Sequence, residues 1–256
     1  MKVEKVNFKE QLAQVICDDS EDALAIELRD KENKTLKLIY LDLKSGEIWT
    51  IEEELSWWYQ LQACSQGKLI LNGFEDPGLP MTKGIYIFDA KAGQKLWEQP
   101  LSHFLYQSSG GVWVEQDEKK HFLNLVDGNS AMPPSENVHK SYEQNFQSDY
   151  HACEVIYRLD DRFPFLHSKI EKLWGHKTAD YLDHLIIGDK EILSYPHKNP
   201  NGGWDQEIAI LEKEKIQMAR KTASQLKGIS WSTFFIWRKF FIWQEDYKSL
   251  CFLDLG

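Results

Sequence analysis

Acidic and aromatic side chains lie close together in two stretches between residues 52 and 81. The first stretch has three consecutive glutamates, Glu52–Glu54, followed after two residues by Trp57 and Trp58. The second is FEDPGLPM, residues 74–81, in which two acids precede a pair of prolines that would stiffen a loop. A preorganised acidic loop with exposed aromatics could hold a cation, a sugar or a basic peptide. The predicted ligand-binding residues are Glu53, Trp57, Trp58, Glu75 and Asp76.

A purely structural interpretation of the same residues stays open. Asp, Pro and Gly are the ordinary residues of solvated turns, so FEDPGLPM is also typical of a rigid surface turn. Trp57 and Trp58 would alternate between the two faces of a strand, so they could pack between sheets instead of stacking on a ligand. We expect the same core role for Trp231, Trp237 and Trp243.

A second group of residues has types that suit metal binding. GHKTADYLDH contains His176, Asp180, Asp183 and His184, and a helix here would bring the last three together. In a strand, Asp183 and His184 would point to opposite faces and could not share an ion, which needs three or four converging ligands. We predict no metal site, and we expect His197, in the turn-rich segment SYPHKNPNGGW, to be solvated.

Motifs of the common enzyme classes are absent from the sequence. There is no G-x-S-x-G, no phosphate-binding glycine loop and no H-E-x-x-H. The adjacent acids Asp160 and Asp161 could serve acid–base chemistry, although paired acids are common in solvated loops. A hydrolase or lyase whose acids and histidines come from separate repeats would leave no local motif, so an enzyme acting on a sugar or another small polar substrate remains the alternative.

The composition limits the classes of binding partner and the cellular compartment that we expect. The formal net charge is −10 over 256 residues, which disfavours nucleic acid and anionic membrane surfaces. The chain starts without an apolar leader and contains no run of about 20 apolar residues, so we expect a cytoplasmic protein. We expect the four dispersed cysteines to be buried reduced thiols and no cofactor to be bound; they are Cys17, Cys64, Cys153 and Cys251.

Repeated strand pairs are the elements that must position these residues. IYIFDAKAGQKLW, from Ile85, reads as a strand, an Asp, a turn with a glycine, and a second strand that carries Trp97. LKLIYLDLKSGEIW, from Leu36, has the same plan. Weaker copies put turns near residues 127, 166, 212 and 254, a spacing of roughly 40–45 residues that is typical of propeller blades.

The ends of the chain complete this pattern. The last copy, SLCFLDLG, stops at its turn, and Lys2–Phe8 has the length and alternation of the missing outer strand. We predict one domain over residues 1–256: an all-β propeller of about six four-stranded blades, the last closed by the N-terminal strand. Residues 127–161 fit poorly and are predicted to form a long loop or an irregular blade, and residues 213–225 could alternatively be helical.

The segment IYIFDAKAGQKLW resembles the repeat of quinoprotein-related (PQQ-like) propellers. The whole chain looks like an uncharacterised Bacteroidetes family of short propeller-like proteins, on the combination of WWYQLQ, LILNGFEDPGLP and KGIYIFDAKAGQKLW. The resemblance implies the fold and the packing of the repeat tryptophans Trp49, Trp97 and Trp174 between blades. Quinone chemistry is not expected, because there is no adjacent cysteine pair and too few repeats.

The favoured function is therefore a non-catalytic binding module that uses the channel mouth of a propeller. Its partner would be a small polar ligand or a protein. The acidic and aromatic residues given above would lie on one face of the domain, in the loops that usually carry propeller ligands.

Overall fold

The computed structural model describes residues 2–51, 53–76, 79–226 and 233–256, with the side chains of residues 75–82 and 225–232 outside the description. It is an all-β structure with two helices in this described chain. The first twelve strands are β1 (Glu4–Asn7), β2 (Gln11–Cys17), β3 (Ala23–Asp30), β4 (Thr35–Asp42), β5 (Ile48–Thr50), β6 (Tyr59–Ser65), β7 (Lys68–Asp76), β8 (Leu79–Asp89), β9 (Gln94–Pro100), β10 (His103–Ser108), β11 (Gly111–Gln116) and β12 (Lys119–Asn124). The remaining elements are α1 (Glu136–Asp149), β13 (Tyr150–Ala152), β14 (Glu154–Tyr157), α2 (Phe163–Trp174), β15 (Tyr181–Ile187), β16 (Lys190–Lys198), β17 (Trp204–Glu212), β18 (Lys215–Leu226), β19 (Phe234–Trp237), β20 (Phe240–Asp246) and β21 (Ser249–Asp254).

The described strands form five antiparallel sheets, numbered here along the chain. Sheet 1 is β2–β5, sheet 2 is β6–β9 and sheet 3 is β10–β12, each in chain order. Sheet 4 is β14–β18, and sheet 5 has the order β1-β21-β20-β19-β13. The chain divides into two compact units, one of Phe8–Ser148 and one of Met1–Asn7 with Asp149–Gly256.

The predicted hairpins of sheets 1 and 2 share one turn geometry. The carboxylate of Asp42 accepts the N–H groups of the second and third residues after it, and its carbonyl accepts the N–H of Gly46. Asp89 and Gly93 repeat these contacts, and both glycines have positive φ, as predicted. In sheet 3 the equivalent residue is Asn124, four positions before Gly128, rather than the predicted Asp127.

The N-terminal strand joins the last sheet as the sequence predicts. β1 pairs antiparallel with β21, with Glu4 opposite Phe252 and Asn7 opposite Ser249. Lys5 also forms an ion pair with Glu245. The N-terminal strand covers what would otherwise be the open edge of β21, and exposed strand edges favour aggregation.

Two sequence predictions about secondary structure are wrong, and both concern helices. Residues 164–174, expected to be a degenerate strand copy, belong to α2, which has a proline in its first turn and ends at Gly175 in the left-handed conformation. Residues 136–149, expected to be a loop or an irregular blade, form α1. The described chain accordingly has five sheets of three to five strands instead of about six blades of four.

The alternative helix over residues 213–225 does not form. Residues 215–226 are β18, which pairs with β17 over a turn in which Lys213 and Glu214 both have positive φ. Side chains such as Ile216 and Met218 therefore alternate along a strand, and the repeat interpretation of this segment is correct.

Among the described residues of the first unit, sheet 2 packs against a hydrophobic core on each of its faces. Small residues of β3, Ala23 and Ala25, face the larger Leu71 and Phe88 of sheet 2. The opposite face of sheet 2 packs on sheet 3 through residues such as Ile87 and Val112. The predicted inter-sheet role of Trp97 is confirmed, because its indole N–H donates to the carbonyl of Leu125 in the turn after β12.

In the other unit, sheet 4 is buried on both faces. Ile192, Ile208 and Ile210 pack against sheet 5. On the opposite face, Leu193 and Tyr195 pack against Leu166 of α2. The segment expected to be a strand copy is thus a helix that covers this face of sheet 4, and Trp174 is its last residue.

Two further expectations can be checked directly. All four cysteines are buried, and none forms a disulfide bond with another. In the described chain, neither helix has the length and apolar composition that crossing a bilayer requires.

Candidate functional site

The strand register of sheet 4 brings several titratable side chains onto one face. Tyr195 lies opposite Glu207, and His197 lies opposite Asp205, on the paired strands β16 and β17. Lys221 of β18 lies opposite Glu207. Directly paired residues, and residues two apart on a strand, project from the same side of a sheet. These five side chains therefore share the face that α2 covers farther along.

The segment after α2 adds a histidine to this face. The helix stops at Gly175 (φ 69°), and His176 follows directly. The imidazole of His176 stacks on that of His197, with ring centroids 3.8 Å apart and planes 13° from parallel. Its Nδ1 lies 3.3 Å from the Tyr195 hydroxyl. We call His176, Tyr195, His197 and Glu207 the histidine cluster.

His197 carries the unusual feature of the cluster. Only 10% of its side chain is exposed, and its Nδ1 lies 3.3 Å from the carbonyl of Lys198. Its Nε2 is buried and finds no hydrogen-bond partner among the described residues. The nearest carboxylate oxygen, on Glu207, is 3.6 Å away, which is too far for a hydrogen bond. A buried polar atom without a hydrogen-bond partner lowers the stability of the folded state by about 1–3 kcal/mol.

Burial sets the protonation of the cluster. It lowers the pKa of His176 below the ordinary value of 6.5, and the neighbouring His197 lowers it further by charge repulsion. Burial also raises the pKa of Glu207 above that of a solvated carboxyl group, although His197 and Lys221 oppose this rise. Burial therefore disfavours the charged forms of His176 and Glu207.

The ion pair of Lys221 and Asp205 lies beside the cluster and carries no net charge. Lys221 reaches diagonally across the strands to the buried carboxylate of Asp205. The other oxygen of Asp205 accepts a hydrogen bond of 2.8 Å from the amide of Asn199. The Lys221 side chain is half exposed and His176 is partly exposed, so these two side chains lie at the surface end of the site.

The geometry does not suit a metal ion. The lone pairs of an imidazole lie in the ring plane, so two nearly parallel rings 3.8 Å apart cannot direct their nitrogens at one ion. Across residues 2–51, 53–76, 79–226 and 233–256, no group of three His, Cys, Asp or Glu side chains is arranged to hold a metal.

The four candidate metal ligands of residues 176–184 do not converge, and the cause is the strand alternative that the sequence left open. Residues 181–187 form a strand, so Asp183 and His184 project to opposite faces. Asp183 is buried and accepts hydrogen bonds from Thr233, whereas His184 lies 3.4 Å from Glu191. Asp180 pairs with Arg158 at the surface. The expectation of a solvated His197 is wrong, since it is a buried residue of β16.

Trp57 and Trp58, predicted to bind ligand, lie in the turn before β6. The Arg29 guanidinium lies 4.8 Å from the centre of the Trp57 ring and donates to the Trp57 carbonyl. Trp58 accepts a backbone hydrogen bond from Phe74. Glu53 is exposed, and its charge acts on Tyr59 and Lys95 of sheet 2. These contacts tie both tryptophans to sheets 1 and 2.

The second predicted stretch is not a loop over most of its length. β7 extends to Asp76 and β8 starts at Leu79, and these two residues are paired. Glu75 and Asp76 are thus strand residues whose side chains lie outside the description. Glu52, Pro77 and Gly78 lie outside the described residues altogether, as do the predicted core residue Trp231 and its neighbours from 227 to 232. Trp237 and Trp243 are fully buried core residues, as predicted.

A Ser–His–Glu series of contacts also occurs, where α1 meets sheet 3. Ser108 Oγ lies 3.1 Å from His139 Nδ1, and His139 Nε2 lies 3.3 Å from Glu143. Ser108 is completely buried, so a substrate could not reach its hydroxyl. Tyr142 of α1 donates to Asp19 nearby. These contacts fasten a helix that has no buried residue of its own.

The adjacent acids Asp160 and Asp161 do not behave as a catalytic pair. The Arg162 guanidinium hydrogen-bonds Asp160 and lowers its pKa to about 2. With so low a pKa, Asp160 stays ionised near neutral pH and is a poor proton donor.

Comparison with known proteins gives one family match and several loose structural ones. Residues 17–97, which span β3 to β8 and the first part of β9, match a family described as a domain of unknown function (DUF4905). No curated protein matches the sequence. The quinoprotein and Bacteroidetes resemblances gain no support from these results and stay predictions.

The solved structures that align with the chain include peptidases and the β-propeller domain of a protease. An acylaminoacyl peptidase of Pyrococcus horikoshii is 9% identical, with a TM-score of 0.30 over 93% of this chain and 36% of that protein. A puromycin-hydrolyzing peptidase of Mycobacterium tuberculosis is 11% identical, with a TM-score of 0.27 over 84% and 32%. The chain thus spans about a third of the length of these peptidases. The β-propeller domain of the Trilobed protease from Pyrococcus furiosus is 9% identical, with a TM-score of 0.29 over 96% and 81%.

Proposed function

We propose that this protein is a non-catalytic ligand-binding module and that a small polar molecule binds at the histidine cluster. The observation that carries the proposal is the buried Nε2 of His197, which lacks a hydrogen-bond partner within the described chain. Buried polar atoms of folded proteins are almost always satisfied, so an exception needs an explanation. Because this nitrogen is buried, the ligand would have to enter past the partly exposed His176; one of its hydroxyls could then donate to Nε2 and supply the missing bond, and a second could donate to Glu207.

The proposal extends to the fold. We propose that the antiparallel sheets are blades of one propeller domain and that β1 completes the last blade. Sheets 1 and 2 support this by their shared strand order and turn geometry, and sheet 5 by its pairing with the N-terminal strand. The blade count on the described residues is five, because α2 occupies the segment expected to form another hairpin.

The acidic and aromatic residues predicted from sequence remain a second proposed ligand surface. They are Glu53, Trp57, Trp58, Glu75 and Asp76. Trp57 already has a cation–π partner in Arg29, and the backbone of Trp58 is engaged by sheet 2. We rank this surface below the histidine cluster for that reason.

A second function, a hydrolase or lyase on a small polar substrate, is favoured by one observation. Burial raises the pKa of Glu207, and the carboxyl group lies 3.6 Å from a histidine, as in sites where perturbed groups exchange protons. An assay for product formation separates the two functions, because a binding module releases its ligand unchanged whereas an enzyme releases product. If the protein is an enzyme, Glu207→Gln should abolish product formation.

Nuclear magnetic resonance of the histidine side chains tests the binding proposal. Protein labelled with ¹⁵N-histidine is titrated with D-glucose, myo-inositol, D-glucuronate, D-glucose 6-phosphate and ethanolamine. At least one of them should shift the resonances of His176 and His197 while the exposed His121 stays constant. His197→Phe should abolish the effect, and His121→Asn should preserve it. If none of these probes shifts the cluster, the proposal is wrong.

A further inference from the structure

We infer that the histidine cluster recognises a neutral pyranose sugar, through hydrogen bonds to ring hydroxyls and stacking against an aromatic wall. This inference rests on the proposed function and names its ligand class. Charge, aromatic surface and hydrogen-bond pattern support it independently, and each excludes a different competitor.

The local charges disfavour an anionic ligand. The charge of Lys221 acts on both His176 and Glu207, but this side chain is already paired with Asp205. Burial lowers the pKa of His176, and repulsion from His197, whose ring is stacked 3.8 Å away, lowers it further. The remaining carboxyl group, Glu207, would repel a phosphate or a carboxylate. A ligand without charge avoids both the repulsion and the loss of the existing ion pair.

An aromatic surface lies beside the polar groups. Trp174, the last residue of α2, is partly exposed, and its ring centroid lies 5.8 Å from that of Tyr195. His176 lies 6.0 Å from the same tyrosine. Sugar rings have apolar faces of C–H groups and polar edges of hydroxyls, so a site that joins an aromatic wall to hydrogen-bonding groups complements both parts. Simple polyols and amines lack the apolar face.

The hydrogen-bond pattern fits hydroxyl groups in particular. A neutral imidazole has one donor and one acceptor nitrogen, and a carboxyl group can accept two hydrogen bonds or more. The Nε2 of His197 and the nearest oxygen of Glu207 are 3.6 Å apart. In a neutral ring whose Nδ1 donates to the Lys198 carbonyl, Nε2 is an acceptor like the Glu207 oxygen, so two adjacent hydroxyls of a sugar can each donate to one of them. A divalent cation would instead need converging lone pairs, which the stacked rings do not provide.

Isothermal titration with matched sugars tests the inference. Methyl α-D-glucopyranoside, D-galactose and D-mannose represent neutral pyranoses, whereas D-glucose 6-phosphate and D-glucuronate carry one added anion. We expect at least one neutral sugar to bind, and its charged counterpart to bind at least tenfold more weakly. Zinc chloride serves as the metal probe and should not bind at the cluster. Tight binding of an anionic sugar, with no binding of neutral sugars, would overturn the inference while leaving the proposed binding function intact; binding of zinc alone would overturn both.

Two substitutions locate the binding. Trp174→Phe keeps an aromatic ring in the core but reduces the stacking surface, so we expect a three- to tenfold loss of sugar affinity. Glu207→Gln keeps the shape of the side chain and replaces one acceptor oxygen by a donor, so we expect a loss of tenfold or more. Both variants are checked for folding by their histidine spectra, and His121→Asn is the control. Neutral-sugar binding that survives both substitutions unchanged would place the ligand elsewhere and refute the assignment.

Discussion

Asp18 is the residue whose substitution tests the packing of sheets 1 and 2 most severely. Its side chain is fully buried in the loop between β2 and β3. One carboxylate oxygen accepts hydrogen bonds from the Tyr40 hydroxyl at 2.9 Å and from the backbone N–H of Gly67 at 2.7 Å. The other accepts from Ser20 and from the N–H of Gln66. The carboxylate therefore joins one loop of sheet 1 to the β6–β7 turn of sheet 2.

Asp18→Asn changes this network without changing its size. The new amide group must replace one of the two oxygens, and either position faces N–H or O–H donors. At least two charge-assisted hydrogen bonds are lost, each worth about 1.5–3 kcal/mol, so we expect the free energy of unfolding to fall by about 3–6 kcal/mol. With a denaturant slope of about 2 kcal/mol per molar urea, the midpoint should move by roughly 1.5–3 M.

Urea unfolding followed by tryptophan fluorescence measures the effect, with Asp42→Asn as the matched control. Asp42 accepts two backbone N–H groups through one oxygen in an exposed turn, and Asn124 occupies the equivalent place in sheet 3. We therefore expect the control to change stability by less than about 1 kcal/mol. Equal effects of Asp18→Asn and Asp42→Asn would refute the argument that a buried, multiply bonded carboxylate holds the two sheets together.

Three further predictions concern turns, protonation and the N-terminal strand. Gly46→Ala should lower the free energy of unfolding by about 1 kcal/mol, because alanine tolerates the positive φ poorly and no neighbour obstructs its Cβ. Gly128→Ala should lower it by at least twice as much in the same urea assay, because a Cβ would come within 2.7 Å of the Trp97 ring. Equal costs would show that this contact is unimportant. Glu207→Gln should raise the melting temperature at pH 7 but not at pH 4, because the raised pKa of the carboxyl group makes the native state lose stability as pH rises; a pH-independent effect would contradict this. Deletion of residues 1–9 should remove hydrogen-exchange protection throughout β20 and β21, whereas fraying confined to β21 would contradict the account.

The regular hairpins could be predicted from sequence because their signals are local. An aliphatic strand, an Asp or Asn and a glycine four residues later determine the turns at Asp42 and Asp89, and the chain ends revealed the β1–β21 pairing. The helices could not be predicted on the same grounds. α2 keeps the apolar spacing Phe163, Leu166 and Ile170, but a Leu-Trp pair at its end resembles the strand copies. α1 is polar and is held by contacts of Tyr142 and His139 with distant residues.

The histidine cluster could not be predicted for a related reason. Its members come from the segment after α2 and from two strands, and only the strand register places Tyr195 opposite Glu207. His197 looked solvated because polar turn residues surround it in the sequence. An alternation check could have found part of the site, since Tyr195 and His197 on β16 and Asp205 and Glu207 on β17 are each two residues apart.

The most direct test of the central claim is a titration of ¹⁵N-histidine-labelled protein with methyl α-D-glucopyranoside, D-galactose and D-mannose, read at the Nε2 resonance of His197. We expect at least one of these neutral sugars to shift the resonances of His197 and His176 in a saturable way and to leave the resonance of His121 unchanged. We also expect the shift at His176 to disappear in His197→Phe. An unchanged His197 resonance up to the solubility limit of all three sugars, in a folded protein, would contradict the central claim.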